Sequence, residues 1–192
     1  MKKRFTISYN APVVLTFMFI CFVVMVIGFL TGGRSTMLFF MTYHSSLLNP
    51  FTYLRFFTHV LGHADWSHFM GNASYILLLG PMLEEKYGSR NLLEIMGVTA
   101  FVTALVNYVF FWNVALCGAS GIVFAFIVLA SFTGFREGEI PLTFILVAVI
   151  FIGQQVYEGI VLSDNISNTA HIVGGLVGGA VGYLLNVNHK IR

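Results

Sequence analysis

Long runs of apolar residues alternate with short polar segments along this chain of 192 residues. Six stretches are apolar over about the 20 residues that a helix needs to cross a bilayer. They cover about 11–31, 67–86, 90–110, 119–135, 140–158 and 170–187. The connections contain residues that end helices and form turns, as in TGGRS, YGSRN, GFREGEIP and LSDNISN. The pattern therefore predicts an all-α membrane protein, a bundle of six transmembrane helices.

The connection of about 32–66 is too apolar to be a free loop. Its stretch NPFTYLRFFTHVLGHADW is aromatic and amphipathic, which favours a position in the plane of the membrane interface. After the second predicted helix, Gly88 is expected to stop that helix and Ser89 to cap the next one. Glu84 and Glu85 precede this stop, and we expect their side chains to reach water.

The composition agrees with a membrane protein and gives no indication of nucleic-acid binding or of a cysteine metal site. Hydrophobic residues make up 57% of the chain and charged residues only 9%, whereas soluble domains carry roughly 25% charged residues. We expect a single domain over residues 1–192. The net charge of +2 comes from basic residues clustered at one membrane face and does not indicate nucleic-acid binding. Cys21 and Cys117 are isolated, so neither a disulfide framework nor a cysteine metal site is predicted.

The basic residues predict the orientation, because cytoplasmic loops carry an excess of Lys and Arg. With a cytoplasmic N-terminus, eight basic residues fall inside and only Arg34 and Arg55 fall outside; the opposite orientation reverses this count. The eight are Lys2, Lys3, Arg4, Lys86, Arg90, Arg136, Lys190 and Arg192. Both termini are therefore predicted to be cytoplasmic, in a multi-pass protein of the plasma (inner) membrane.

This topology brings four polar residues to one depth near the outer face. His68 and Asn72 lie in the outer turns of the second predicted helix, Ser120 begins the fourth, and His171 begins the sixth. Polar groups at membrane depth are costly, so a functional role is the default interpretation. A structural role for all four together is the weaker hypothesis.

The four residues have the chemistry of a hydrolase. Ser120 lies in a Gly-x-Ser-Gly turn and would be the nucleophile, with His171 as the general base. The N-terminus of a helix at Ser120 is suited to stabilise an oxyanion. His68 and Asn72 are four residues apart, on one helix face, and both can donate a hydrogen bond to that charge. Asp164 falls in an outer loop, so a dyad is predicted rather than a triad.

Small residues predict that the helices carrying Ser120 and His171 pack closely. Small residues four apart form ridges that let two backbones approach each other. The fourth and sixth predicted helices carry such pairs: Gly121 and Ala125 on one, and Gly174 with Gly178 and Gly175 with Gly179 on the other.

With these motifs, the chain resembles the rhomboid family of intramembrane serine proteases over nearly its whole length, in the minimal six-helix bacterial form. The matching motifs are His68-x-x-x-Asn72, Gly118-Ala-Ser120-Gly and Ala170-His171-x-x-Gly174-x-x-x-Gly178. Weaker matches are LRFFTHVLGH and Glu84-x-x-x-Gly88-Ser89. The first of these lies in the connection of about 32–66, which is called the outer connection below. Three motifs in this order, on the expected helices, make a specific resemblance.

The resemblance implies a Ser120–His171 dyad, with an oxyanion hole formed by His68, Asn72 and the main-chain N–H of Ser120. It also implies a water-filled cavity open to the outside, which explains a hydrolytic site at membrane depth. The substrates implied are single-span membrane proteins that enter laterally from the lipid bilayer beside the fifth predicted helix. The loop of about 159–169 would cap the site. Neither a metal nor any other cofactor is implied.

Three further positions are expected to support the site. Gly118 belongs to the nucleophile turn, and Asn168 lies three residues before the base. Phe124 stands where many family members have a Tyr that stacks on the catalytic His; stacking is retained and a hydroxyl hydrogen bond is lost. Leu54 replaces a Trp before Arg55, which changes the anchoring of the outer connection. Arg55 itself is expected to brace that connection.

Two other functions are compatible with parts of the sequence. His59 and His63 have the spacing of a zinc protease, but Val60 occupies the position of its general base. Together with His68 they favour, at most, a His-lined membrane transporter, and the chain lacks the internal repeat that transporters usually show. A rhomboid-like protein that binds membrane clients without cleaving them is the second alternative, although Ser120 and His171 are both present.

Overall fold

The structure is a computed structural model that describes residues 7–131 continuously, and then 142–143, 145–147, 149–150, 153, 172–181 and 184. Its helices are α1 (Pro12–Leu30), α2 (Arg34–Phe39), α3 (Pro50–Thr58), α4 (Trp66–Tyr87), α5 (Ser89–Phe110) and α6 (Ser120–Ser131). A 3-10 turn, His59–Leu61, follows α3. A further apolar helix, Ile172–Val181, is called the C-terminal helix here.

The helix pattern predicted from the sequence is confirmed where the structure describes it. The bounds of α1, α4 and α5 lie within one residue of the predicted first three helices, and α6 and the C-terminal helix lie inside the fourth and sixth. The described residues between 142 and 153, in the fifth, are also helical. By length and composition, α1 and α5 are apolar enough to cross a membrane, and α6 and the C-terminal helix are shorter apolar helices.

The outer connection is folded around one buried cation, Arg55. The residue is 3% exposed, and its guanidinium donates to the Tyr43 hydroxyl at 2.8 Å and to Ser45 Oγ at 2.8 Å. It also lies 4.2 Å from the centre of the Tyr43 ring. The predicted bracing role is therefore confirmed. The position of this connection in the membrane interface stays a prediction, which the exposed aromatic rings of α3 favour: Phe51, Tyr53 and Phe57.

The core of the molecule surrounds α6, whose residues Ile122, Phe126 and Leu129 are completely buried. On one side, α6 packs against α4 and α5. On another side it meets the C-terminal helix along the predicted small-residue ridge.

The contact between α6 and the C-terminal helix is made by backbone atoms. A side chain on Gly174 would overlap the backbone of Gly121, and one on Gly178 would lie 2.5 Å from the Cα of Ala125. Both contact positions advance by four residues along their helices. The two helices therefore run parallel, as expected if the fourth and sixth predicted helices enter the membrane from the same face.

Glu84 holds the start of α1, and the expectation that its side chain reaches water was wrong. The residue is 5% exposed, and its two carboxylate oxygens accept hydrogen bonds from the Val13 N–H at 3.0 Å and the Val14 N–H at 3.1 Å. First-turn N–H groups have no partner within their own helix, and a negative charge there is favoured by the helix dipole. Glu85, the next residue, is exposed.

The junction of α4 and α5 follows the sequence prediction in part. Gly88 ends α4 with φ of +82°, a conformation that side chains disfavour, so the predicted stop is confirmed. Ser89 is the first residue of α5 rather than its N-cap. Its hydroxyl instead donates to Glu84 Oε1 at 2.6 Å, so the serine completes the cap of α1.

Replacing Glu84 by Ala should destabilise the protein by about 3 kcal/mol, because the N–H groups of Val13 and Val14 and the Ser89 hydroxyl lose a charged acceptor. The midpoint of thermal unfolding in detergent micelles measures this loss. Glu85→Ala, on the exposed neighbour, is the matched control and should leave the midpoint nearly unchanged. Equal midpoints for the two variants would contradict the capping role.

Alanine at Gly178 should cost about 2 kcal/mol of stability, since its methyl group would meet the backbone of Ala125, which cannot turn away. Alanine at Gly175, on the same helix, meets only the end of Val128 at 3.5 Å and should be neutral or stabilising by up to about 1 kcal/mol. Unfolding midpoints of both variants test the difference. A Gly175→Ala variant as unstable as Gly178→Ala would show that the ridge is not the contact.

Candidate active site

Ser120 is the first residue of α6. The carbonyl of Ala119 accepts the Val123 N–H at 2.9 Å, so Ala119 is the residue that opens the helix. The N–H groups of Ser120 and of the next residues belong to the first turn, where no acceptor exists within the helix. The positive end of the helix dipole is therefore beside the Ser120 hydroxyl, as the sequence predicted.

The turn before α6 is fastened to the outer connection. The Gly118 N–H donates to the carbonyl of His59 at 2.9 Å. Leu116 pairs with Thr42 in an isolated antiparallel bridge, with hydrogen bonds of 2.8 and 2.9 Å. These hydrogen bonds give the polar groups of the irregular backbone before α6 partners within the protein. Such partners are needed where water is scarce.

The Ser120 hydroxyl is not bound to the carbonyl four residues before it, as a merely structural serine in a membrane helix usually is. That carbonyl belongs to Leu116 and accepts the Thr42 N–H. Elsewhere in the described chain, Ser74 and Ser131 do make this bond, at 2.8 and 2.9 Å. Within the same residues Ser120 makes no such bond, because it is the first residue of α6 and Leu116 lies before the helix.

Gly118 brings the turn into contact with α4. Its φ is +118°, which favours glycine, and a side chain there would lie 2.5 Å from Cε1 and 2.6 Å from Nε2 of His68. The same point lies 3.6 Å from the side-chain nitrogen of Asn72. Glycine is therefore required both by the backbone conformation and by the approach of the imidazole. The expected supporting role of Gly118 gains a physical basis.

Two side-chain donors of α4 thus meet the turn that carries Ser120. Asn72 is 6% exposed, and its Nδ2 has no hydrogen-bond partner within the described residues. A buried donor without an acceptor costs free energy, about 1–3 kcal/mol. A donor held in this way is available to a negative charge that develops later, which is how oxyanion holes work.

The start of α4 positions His68. Asp65 caps the helix, and its Oδ1 accepts the main-chain N–H of His68 at 2.8 Å and the Ser67 hydroxyl at 2.7 Å. Asn72 follows one turn later on the same face. His68 and Asn72, which were predicted to lie on one face of their helix, both approach Gly118.

His59 and His63 have separate environments. The ring of His59 is 1% exposed and lies between the Arg55 carbonyl, at 3.2 Å, and Thr103 Oγ1, at 3.4 Å. Burial lowers the pKa of His59 to about 4, so this ring is neutral at pH 7. The contacts of His59 are therefore those of a structural residue. Among the described residues, no three His, Cys, Asp or Glu side chains converge in a way that could hold a metal ion.

His63 is the residue near the site that the sequence analysis missed, apart from its zinc-protease spacing. Its ring lies edge-to-face with the ring of His68, with ring centres 5.2 Å apart. Asp65, the cap residue between them, marks where the chain turns into α4, and this is the feature in the sequence that could have indicated the contact.

The structure thus gathers four of the predicted residues, Gly118, Ser120, His68 and Asn72. Phe124 is one turn further along α6 and is partly buried against the core. His171, Asn168 and Asp164 lie outside the described residues.

Gly118→Ala should abolish or strongly reduce any activity of Ser120 and cost about 2 kcal/mol of stability, because the methyl group would displace the His68 ring. Gly71→Ala is the matched control: Gly71 lies in α4, and a side chain there has nothing within 4 Å. Labelling of Ser120 by a fluorophosphonate, together with the unfolding midpoint, measures both effects. Full labelling in Gly118→Ala would contradict the proposed contact.

Comparison with known protein families gives a match to the Rhomboid domain over residues 50–188. This span runs from α3 to beyond the C-terminal helix, so it includes the nucleophile turn, both donors of α4 and the small-residue ridge. It also covers well over half of the chain. The chain therefore belongs to the rhomboid family of integral membrane proteins, whose members are generally intramembrane serine proteases.

Proposed function

We propose that this protein is an intramembrane serine endopeptidase that cleaves transmembrane segments of other membrane proteins with a Ser120–His171 dyad. The observation that carries the proposal is the nucleophile turn, in which Gly118 brings the start of α6 against His68 and Asn72. Membership of the rhomboid family supports the same chemistry.

Ser120 is the proposed nucleophile. Its hydroxyl oxygen attacks the scissile carbonyl, and the bond from the carbonyl carbon to the leaving nitrogen breaks after a tetrahedral intermediate. The hydroxyl is not committed to the Leu116 carbonyl, which the Thr42 N–H occupies.

His171 is the proposed base, which takes the Ser120 proton and gives it to the leaving amine. In the sequence it directly precedes Ile172, the first residue of the C-terminal helix. That helix runs parallel to α6 and contacts it at Gly174 and Gly121. Gly121 directly follows Ser120, and Gly174 lies three residues after His171 in the sequence. The contact between the two glycines therefore supports the pairing of Ser120 with His171.

The proposed oxyanion hole consists of His68, Asn72 and the main-chain N–H of Ser120. The side chains of His68 and Asn72 approach Gly118, and the N–H of Ser120 belongs to the first turn of α6. Removing one such donor lowers the rate by about 100- to 1000-fold in well-studied hydrolases. Phe124 and Asn168 are proposed to support the base from one turn along α6 and from the segment before His171.

Six transmembrane helices in one domain, with both termini in the cytoplasm, complete the proposal. The basic residues support this orientation, and the parallel course of α6 and the C-terminal helix supports the alternation of the helices. Substrates are single-span proteins of the plasma (inner) membrane that enter from the lipid beside the helix predicted at 140–158. No cofactor takes part in this mechanism.

The mechanism is tested with purified protein in liposomes and a tagged single-span reporter. Ser120→Ala and His171→Ala should each reduce cleavage at least about 1000-fold, and a chelator should have no effect. Ser131→Ala is the matched control, because Ser131 lies on the same helix with its hydroxyl bonded to Ile127. Its activity should equal that of the parent.

Two outcomes would contradict the proposal in different ways. Persistent cleavage by Ser120→Ala would exclude Ser120 as the nucleophile. A parent that neither cleaves the reporter nor reacts at Ser120 with a fluorophosphonate would instead be a non-catalytic rhomboid protein that binds membrane clients.

A further inference from the structure

A cavity of about 630 Å³ is lined by residues other than those proposed for catalysis. Its wall is formed by the last turns of α1, by the glycines between α1 and α2, and by residues 63–66 at the start of α4. A side chain at Gly32 or Gly33 would meet nothing within 4 Å. The space beside these two glycines is therefore open.

Asp65 gives this cavity a negative charge. The residue is exposed, and its hydrogen bonds from the His68 N–H and the Ser67 hydroxyl both end on Oδ1. The bond from His68, and then that from Ser67, hold the pKa of Asp65 below its usual range, so the carboxylate is ionised at pH 7. Oδ2 can still accept hydrogen bonds from a ligand. The wall of the cavity is therefore suited to a cation that donates hydrogen bonds.

Two exposed aromatic rings, Phe29 and Trp66, line the same cavity. The face of an aromatic ring attracts an ammonium group. A divalent metal ion would instead need several oxygen ligands, and among the described residues no three His, Cys, Asp or Glu side chains converge to hold one. One carboxylate with two rings therefore favours an organic ammonium ion.

A positive charge follows directly in the chain. Arg34 is the residue after Gly33, and it is exposed. Among the residues that the structure describes, neither Arg34 nor Asp65 forms a salt bridge. Arginine is well suited to bind phosphate. A ligand that carries both an ammonium and a phosphate group would therefore complement both charges.

The surroundings of the cavity are those of a membrane surface. Phe29 and Leu30, at the end of α1, are exposed apolar residues, and α1 is apolar enough to cross a membrane. Tryptophan, here Trp66, is enriched where the hydrocarbon of a bilayer meets water. A ligand at this position would have its charged groups in the cavity and its hydrocarbon along α1, which is the form of a phospholipid.

We propose that this cavity binds the headgroup of an ethanolamine phospholipid, with the ammonium at Asp65 and the phosphate at Arg34. A primary ammonium donates hydrogen bonds to a carboxylate, and such bonds between charged groups are strong. The trimethylammonium of a choline lipid has no N–H to donate, and a glycerol headgroup has no cation. Asp65 therefore selects the lipid class, and this binding does not depend on the proposed protease activity.

Lipid selection is measured by native mass spectrometry of the full chain. The protein is released from micelles that contain equal amounts of ethanolamine, choline and glycerol phospholipids with the same acyl chains. The parent should retain the ethanolamine lipid about tenfold more often than either competitor, the ratio expected of one charge-assisted hydrogen bond. Asp65→Asn keeps an oxygen that can cap α4 and should lose this preference. Glu85→Gln, on an exposed carboxylate at the other end of α4, is the matched control and should keep it.

Two further variants test the other parts of the site. Arg34→Gln should reduce the retention of all three lipids and leave their ratio unchanged, because each of them carries a phosphate. Ala64→Leu, at an exposed position in the cavity wall, should fill part of the space and reduce retention of the ethanolamine lipid.

Fluorescence of Trp66 locates the bound lipid. The chain has two tryptophans, so Trp66 is the only one left in Trp112→Phe. In choline-lipid vesicles, a small fraction of ethanolamine lipid with brominated chains should quench Trp66 more strongly than the same fraction of brominated choline lipid. The difference should vanish when Asp65→Asn is added.

Three results would overturn the inference. They are a parent that retains the three lipids equally, a preference for ethanolamine that survives Asp65→Asn, and equal quenching of Trp66 by the two brominated lipids. The unfolding midpoint of Asp65→Asn should be close to that of the parent. If this variant unfolds instead, the retention and the quenching measured without it still decide the inference.

Discussion

The hydrogen bond from the Gly118 N–H to the His59 carbonyl is the interaction on which the site depends. Irregular backbone at membrane depth is tolerated only where protein or enclosed water satisfies its polar groups. His59 provides that carbonyl from the outer connection, and Arg55 folds the same connection through Tyr43 and Ser45. The polar contacts of the outer connection therefore determine where the turn before Ser120 can lie.

The second constraint is that two glycines, Gly118 and Gly174, lie so close to neighbouring groups that a side chain would not fit at either position. At Gly118 the absence of a side chain admits the ring of His68, and at Gly174 it admits the backbone of Gly121. Both contacts position α6, one through α4 and the other through the C-terminal helix. Because close-packed interiors transmit small displacements, the position of Ser120 depends on glycines as much as on polar residues.

Most helices could be predicted from the sequence because their apolar runs are long and end at Gly or at polar turns. The grouping of Ser120, His68 and Asn72 was also predictable, since it follows from the order and alternation of the helices. The role of Glu84 was not, because its partners Val13 and Val14 are about 70 residues away and hydropathy is a local property. The His63 contact was missed for a related reason: it arises where the chain turns, not along a helix face.

The link between Glu84 and α1 also has a consequence for the order of biosynthesis. The N–H groups of Val13 and Val14 leave the ribosome some 70 residues before their acceptor does. At synthesis rates of about 5–20 residues per second, that interval is on the order of ten seconds. During this time the first helix has no internal cap and must rely on water at the membrane surface. The start of α1 is capped only when the junction of α4 and α5 has been made, so the first helix to be synthesised stays uncapped until α4 is complete.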